Sequence, residues 1–176
     1  MIEITSLPEL YNCTVSIIGL GYVGLPLAVE LAKNSFCKVS GKKISRKVIG
    51  FDIQEERLKD LNKSIDRTNE ISKEELSKIS FLDLTKKIES IARSDVFIIT
   101  VPTPIDKFKN PDLSALKKAS ATVGKALKLR AQNQKNLTSK KIPVVIFEST
   151  VFPGTTEEIC VPIIEKEFGY EKKHNP

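Results

Sequence analysis

Three of the six residues in Gly19-Leu20-Gly21-Tyr22-Val23-Gly24 are glycine, and the triplet falls where a short apolar run gives way to a helical pattern. Glycines in this order can bring bare main chain up to an anion. The first permits a tight turn, the second leaves no side chain where a diphosphate must approach, and the third lets the following helix lie close against the strand. At a helix start the N–H groups without intrahelical partners, here those of Tyr22 and Val23, face such a group, and the helix dipole favours its charge. A tight turn with no guest is the other reading of the same residues. Asp52, ending the run VIGFDI, is the second candidate, a carboxylate placed to accept hydrogen bonds from the hydroxyls of an adenosine ribose. It lies 28 residues after Gly24, more than the roughly 20 usual for a dinucleotide fingerprint, and a basic loop in the interval supplies the excess. An ionised Asp52 repels a 2′-phosphate, which favours NAD over NADP. Arg57 pulls the other way, because a guanidinium grips phosphate well, unless it is a solvated residue on a helix surface.

These residues need elements to hold them. Thr14 to Gly19, Lys47 to Asp52, Val96 to Val101 and Val144 to Ser149 are short, β-branched-rich runs that suit strands covered on both faces. Helical patterns alternate with them: Pro26 to Lys33, Gln54 to Asn62 with Leu58 and Leu61 on one side, and a long stripe of Leu113, Leu116, Val123 and Leu127 behind an Asp112 cap. Thr155 to Phe168 reads as a helix that Pro162 kinks or splits. Between Lys63 and Ser94 the pattern is weaker, with a short strand at Ser80 to Leu84 and helical turns at Glu74 to Lys78 and Lys86 to Ala92. The alternation predicts a Rossmann-type, doubly wound parallel sheet in a single three-layer α/β domain over residues 1–176. Ligands of such sheets sit at the carboxyl edge of the strands.

Composition narrows the functions this fold can serve. The chain has 176 residues and a formal net charge of +6. Lys33 to Lys47 and Lys125 to Lys141 each hold six basic residues and no acid, so twelve positive charges sit in two segments and the remainder is net acidic. Neither interleaves aromatics with its cations, as a single-strand binder does. Both precede strands and so belong at the edge opposite the ligand, as solvated loops; no nucleic-acid partner is expected. No run reaches the roughly 18 apolar residues of a membrane span, and MIEITSLPEL lacks a basic segment followed by an apolar one, so a cytoplasmic protein without a membrane partner is expected. Cys13, Cys37 and Cys160 show no metal-ligand spacing. None is placed as a nucleophile, no metal site is expected, and the lone His174 is assigned no role.

Taken together, "IIGLGYVGLPLAVELAK", "VIGFDIQEERLKDL", "IDRTNEIS", "VFIITVPTPIDKFKNPDLSAL" and "VIFESTVFPGTTEEICVPIIE" resemble the amino-terminal domain of the UDP-glucose/GDP-mannose dehydrogenase family. Its members oxidise the C6 hydroxymethyl of a nucleotide sugar to a carboxylate with two NAD. "IDRT" and "VPTPIDK…PDL" are most similar to the branch acting on UDP-N-acetylglucosamine or UDP-N-acetylgalactosamine, the Vi-antigen and capsule type. The resemblance implies an NAD site in which Tyr22 and Val23 give amides to the pyrophosphate, Asp52 and Arg57 flank the adenosine ribose, Thr103 lines the cleft, and Ser149 and Thr150 lie nearer the nicotinamide. It also implies that Thr150 helps position the hydrolytic water; a cap for the following turn is the plainer role for that hydroxyl. Glu148 fits an orienting role better than that of a general base. The family's cysteine thiolate, which forms a thiohemiacetal and then a thioester, and its central dimerising helix have no counterpart here. The chain therefore reads as the cofactor domain of a longer, homodimeric enzyme, binding NAD but inactive alone on a UDP-sugar. An NADH-sensing module and a 6-phosphogluconate or hydroxyacid dehydrogenase relative share the glycine fingerprint, although the latter leaves "VPTPID" and "ESTVFPGT" unexplained.

Overall fold

The computed structural model describes residues 7–9, 11–33, 35–44, 46–79, 82–105, 107, 110–133 and 142–170. Most of MIEITSLPEL and His174 lie outside them. Five strands, β1 (Thr14–Ile18), β4 (Lys47–Phe51), β5 (Leu82–Thr85), β6 (Val96–Ile99) and β7 (Val144–Phe147), pair in parallel in the order β5-β4-β1-β6-β7. From β1 the chain builds outward on one side to β4 and on the other to β6. The strand order therefore reverses beside β1, whose carboxyl end carries the glycine turn.

Alternation along the strands separates the two cores. Val15 and Ile17 of β1, Val48 of β4 and Ile98 of β6 face one side, where α1 (Gly24–Ala32) and α2 (Glu55–Asn62) supply Leu25, Ala28, Val29, Leu58 and Leu61. Ile18, Ile49, Phe51, Phe97 and Ile99 face the other, against α5 (Ser114–Asn133) with Leu116, Ala119 and Val123 and against Cys160. Phe97, Ile17 and Leu25 are wholly buried, and each such side chain contributes about 1.5–3 kcal/mol relative to exposure. The central strands β1, β4 and β6 are buried on both faces, as their near-continuous apolar runs require, whereas β7, expected to be covered likewise, lies at the sheet edge and leaves Ile146 exposed.

The structure also revises particular boundaries. Helix α1 begins at Gly24, two residues before Pro26, because proline is acceptable within a first turn. The strand expected at Ser80 to Leu84 is β5, displaced to Leu82–Thr85, with Ser80 and Phe81 outside the described residues. The helix at Lys86 to Ala92 is a single turn, α4 (Ile88–Ile91), whereas α3 (Lys73–Ser77) falls where expected, capped by Ser72 accepting from the Glu75 N–H at 3.1 Å. Pro162 is accommodated by a π-helical turn, Thr156–Cys160, leading into α6 (Val161–Phe168). The Val161 N–H reaches back to the Thr156 carbonyl, a widened turn that absorbs the bond proline cannot donate.

Both basic segments do enter the amino edge, since Lys47 pairs with Thr14 and Val144 with Val96, but neither is simply a solvated loop. The first contains a two-residue hairpin, β2 (Ser35–Phe36) with β3 (Lys43–Ile44). The second is helix α5 as far as Asn133, with residues 134–141 outside the described set. Its Arg130 is 7% exposed. That guanidinium donates to the carbonyls of Arg93 and Ser94 and pairs with Asp95, whose other oxygen accepts the Thr14 N–H. A cation that the sequence places on a loop thus ties α5 to the sheet's amino edge.

Candidate functional site

The turn after β1 is built as its glycines require. Gly19 has φ +98°, and a Cβ there would lie 2.9 Å from the Val101 side chain. At Gly24 a Cβ would fall 1.9 Å from the Gly19 carbonyl oxygen and 2.4 Å from the Thr100 hydroxyl, so helix and turn touch through bare backbone. Gly21 differs from both: a Cβ there meets nothing within 4 Å, because the position opens into the cleft. Among the described residues, the N–H groups of Tyr22 and Val23 have no partner within the protein. Bare main chain, free N–H donors and an open approach fit a dinucleotide diphosphate.

The cleft, of about 600 Å³, runs along the carboxyl edge from this turn. One wall carries Phe51 at the end of β4, Asp52 and Ile53 just after it and Arg57 on α2, and another is the first half of α5, with Ala115, Lys118 and Thr122. Asp52 accepts from the Leu20 N–H at 2.9 Å and from the Gln54 N–H at 2.8 Å, one bond per oxygen, leaving lone pairs for hydroxyl donors. Arg57 is not a solvated residue. Its side chain is 9% exposed; Nε donates to the Leu20 carbonyl at 2.9 Å, one terminal nitrogen pairs with Asp66 at 2.8 Å, and the other donates to the Thr68 hydroxyl at 3.4 Å. Asp52 and Arg57 therefore hold the N–H and the C=O of the same residue, Leu20.

Gly19, Gly21, Asp52 and Arg57 meet in the cleft, while Tyr22, Val23 and Gly24 complete the turn beside it. Thr103, Ser149 and Thr150 do not line this cleft. They form a second group on the same edge, beyond β6 and β7: the Thr103 hydroxyl donates to the Thr150 carbonyl at 2.6 Å, and the Ser149 hydroxyl donates to the Val101 carbonyl at 2.6 Å. The Ser149 and Thr103 hydroxyls thus stitch two loops together, and Glu148 is exposed, with its N–H on the Ile99 carbonyl.

Several residues of the site carry no signal that the sequence reading used. Thr100 donates to the Gly19 carbonyl at 2.7 Å from beneath the turn. Asp66, with its side chain wholly buried, accepts from the Thr68 N–H and hydroxyl and from the N–H groups of Glu70 and Ile71. Burial alone would push its carboxyl up; these bonds and the Arg57 guanidinium outweigh burial and hold it at about 2. The Asp-Arg-Thr spacing, an Asx-turn signature, was the available clue. Of the cysteines, Cys13 and Cys160 are buried, and burial pushes the Cys160 thiol up. Cys37 stands apart, held down at about 7 chiefly by hydrogen bonds from the Ser40 side chain and backbone. Among the described residues no cluster of His, Cys, Asp or Glu is arranged to hold a metal ion, and no helix is long and apolar enough to cross a membrane.

Residues 13–175 match the family described as "UDP-glucose/GDP-mannose dehydrogenase family, NAD binding domain". Over 152 residues the chain is 47% identical to a UDP-N-acetyl-D-glucosamine 6-dehydrogenase of Pseudomonas aeruginosa, covering 86% of this chain and 31% of that protein. Over 158 residues it is 44% identical to Protein CapL of Staphylococcus aureus, covering 90% and 32%. The chain thus spans about a third of the length of these relatives. Among solved structures, a UDP-glucose dehydrogenase from the hyperthermophilic archaeon Pyrobaculum islandicum superposes with a TM-score of 0.71 at 25% identity, over 94% of this chain and 35% of that one. Because the family match runs through nearly the whole chain, glycine turn and Asp52 included, the chain belongs to the UDP-glucose/GDP-mannose dehydrogenase family, as its NAD-binding domain.

Proposed function

We propose that this domain holds NAD for the oxidation of the C6 hydroxymethyl of a UDP-N-acetylhexosamine to a uronate, in the cytoplasm, for surface polysaccharide synthesis. The observation that carries the cofactor half of the reading is Gly21, open to the cleft between two glycines that are closed by contact. NAD supplies the hydride acceptor. The chain's own residues bind and orient it: Tyr22 and Val23 give N–H groups to the pyrophosphate, Asp52 accepts from the ribose hydroxyls, and Arg57 fixes the turn from beneath. Thr103, Ser149 and Thr150 form the nicotinamide end, where the Thr150 side chain, on an exposed residue, orients water. The sugar half rests on identities of 47% and 44% to proteins bearing the name UDP-N-acetyl-D-glucosamine 6-dehydrogenase.

In this reading the thiol nucleophile and the dimer contacts belong to the two-thirds of the relatives' length that this chain does not span, and residues 1–176 bind NAD without turning over substrate. Mixing the purified chain with NAD and UDP-N-acetylglucosamine gives no sustained NADH; continued formation at 340 nm would refute the division of labour. With the full-length enzyme, UDP-N-acetylglucosamine or UDP-N-acetylgalactosamine shows the highest kcat/KM in a panel containing UDP-glucose and GDP-mannose. A preference for either of the latter overturns the substrate class.

A further inference from the structure

The amino edge of the sheet carries a feature that cofactor binding does not use. Residues 33–47 lengthen the step from Gly24 to Asp52 to 28 residues, against the roughly 20 of a dinucleotide fingerprint. The excess folds into the hairpin of β2 and β3, a two-stranded sheet of its own. Its turn is closed by the Cys37 N–H on the Lys42 carbonyl and the Gly41 N–H on the Cys37 carbonyl, both at 2.8 Å, with Gly41 at φ +67°. Within that turn Val39 is 96% exposed, where turn chemistry favours glycine, asparagine, aspartate or serine. Phe36, 69% exposed, lies directly opposite Lys43, so a ring and an ammonium share one face of the hairpin. Neither apolar side chain joins a core.

Lys33 and Lys47, at the ends of the segment, are paired with Glu30 and Glu75 and with Asp83. Lys38, Lys42 and Lys43 are exposed and have no carboxylate partner among the described residues; the Lys42 ammonium lies 5.1 Å from the centre of the Tyr11 ring. Exposed apolar side chains flanked by long cations suit the boundary between anionic headgroups and acyl chains, where the valine and the phenylalanine leave water and each ammonium meets phosphate. Duplex DNA or a polyacidic chain answers the cations alone and leaves Val39 in water. The hairpin joins the end of α1 to the start of β4, at the edge opposite the cleft, so contact there leaves the cleft open.

We propose that the hairpin docks this domain on an anionic bilayer, with Val39 and Phe36 entering the interface and Lys38, Lys42 and Lys43 holding the headgroups. No apolar run of spanning length is needed for such contact, so the expectation of no membrane partner gives way to a peripheral one. The contact is independent of what the cleft binds.

Sedimentation of the purified chain with phosphatidylcholine vesicles containing about one-third phosphatidylserine, beside phosphatidylcholine alone, tests it. With about fivefold for each of three cations, the anionic vesicles are preferred by about a hundredfold, and the preference shrinks as salt rises. Lys38→Gln with Lys43→Gln weakens binding to them by about twentyfold, and Phe36→Ser with Val39→Ser by about tenfold. Equal partitioning onto both vesicles, or either double variant binding like the unaltered chain, overturns the proposal. So does an affinity for duplex DNA or polyglutamate that equals the affinity for the vesicles and is untouched by Val39→Ser. Should a double variant melt early, Val39→Ser alone, in a turn outside both cores, carries the same test with a loss of about threefold, and no loss there is refutation.

Discussion

Replacing Gly21 by alanine separates a turn that merely bends from a turn that binds. The backbone of Gly21 is not in the left-handed region, and the added methyl meets nothing within 4 Å. The fold therefore loses nothing, and a less flexible unfolded chain adds about 0.4–1 kcal/mol of stability. The same methyl stands where a diphosphate must come within hydrogen-bond distance of the Tyr22 and Val23 N–H groups. Such charge-assisted bonds contribute roughly 1.5–3 kcal/mol each, so losing two costs at least about 3 kcal/mol, which is more than a hundredfold in Kd. Thermal melting and NADH titration by fluorescence on the same sample give both numbers. Gly24→Ala is the contrast: its Cβ would fall 1.9 Å from the Gly19 carbonyl oxygen, so stability and binding fail together. A Gly21→Ala protein with an unchanged melting temperature and NADH affinity within threefold of the original refutes the binding role and leaves only the tight turn.

Asp52→Ala weakens NADH at least about tenfold, because the ribose acceptor and the Leu20 anchor are both lost; unchanged affinity by calorimetry contradicts the assignment. The Asp66 carboxyl, lowered from 3.8 to about 2, contributes stability that is fully present above pH 4 and is lost as pH falls toward 2, about 2 kcal/mol in all. Urea midpoints between pH 4.5 and 2.5 fall more steeply for the unaltered chain than for Asp66→Asn, and parallel curves contradict this. Arg130→Ala strands Asp95 and two carbonyls at the amino edge and costs about 3–5 kcal/mol, on the order of 10 °C in Tm, while the NADH Kd of the folded protein stays the same. Iodoacetamide at pH 7 alkylates Cys37, whose thiol is lowered to about 7, before buried Cys13 and Cys160; mass spectrometry of the labelled peptides decides.

The sheet was legible because strands covered on both faces leave a strong trace, an apolar run such as VFII between polar turns, and the edge strand VVIF carries the same apolar run although Ile146 is exposed. Leu58 and Leu61, and Leu113, Leu116 and Val123, were legible for the matching reason, that a helix against a sheet needs one apolar stripe. Short elements left a weaker trace. In β5, Asp83 is exposed and pairs with Lys47, which interrupts the apolar run, and α4 has only one turn in which to show a period. Arg130 was misplaced because charge patterning describes what is soluble; it does not reveal that three acceptors at the amino edge await a guanidinium. Arg57 was ambiguous for a related reason, since its partners Asp66 and Thr68 come from a separate loop, 9 and 11 positions further on.

The same long-range contacts explain why the cleft is ready before it is filled. A glycine-rich turn is floppy by composition, and ordering it on binding would subtract from affinity. Here the Leu20 peptide groups are fixed from two directions, the N–H by Asp52 and the carbonyl by Arg57. Thr100 holds the Gly19 carbonyl from below, and Gly24 admits the helix to contact. Each restraint comes from an element the sheet has already positioned, β4, α2 or β6, so the cost of shaping the turn is met in folding. Gly21 keeps its approach open because its neighbours, and not the residue itself, carry the packing. Asp52 anchors the turn from within the cleft and, in the proposed NAD reading, also accepts from the ribose, so its substitutions disturb two functions together.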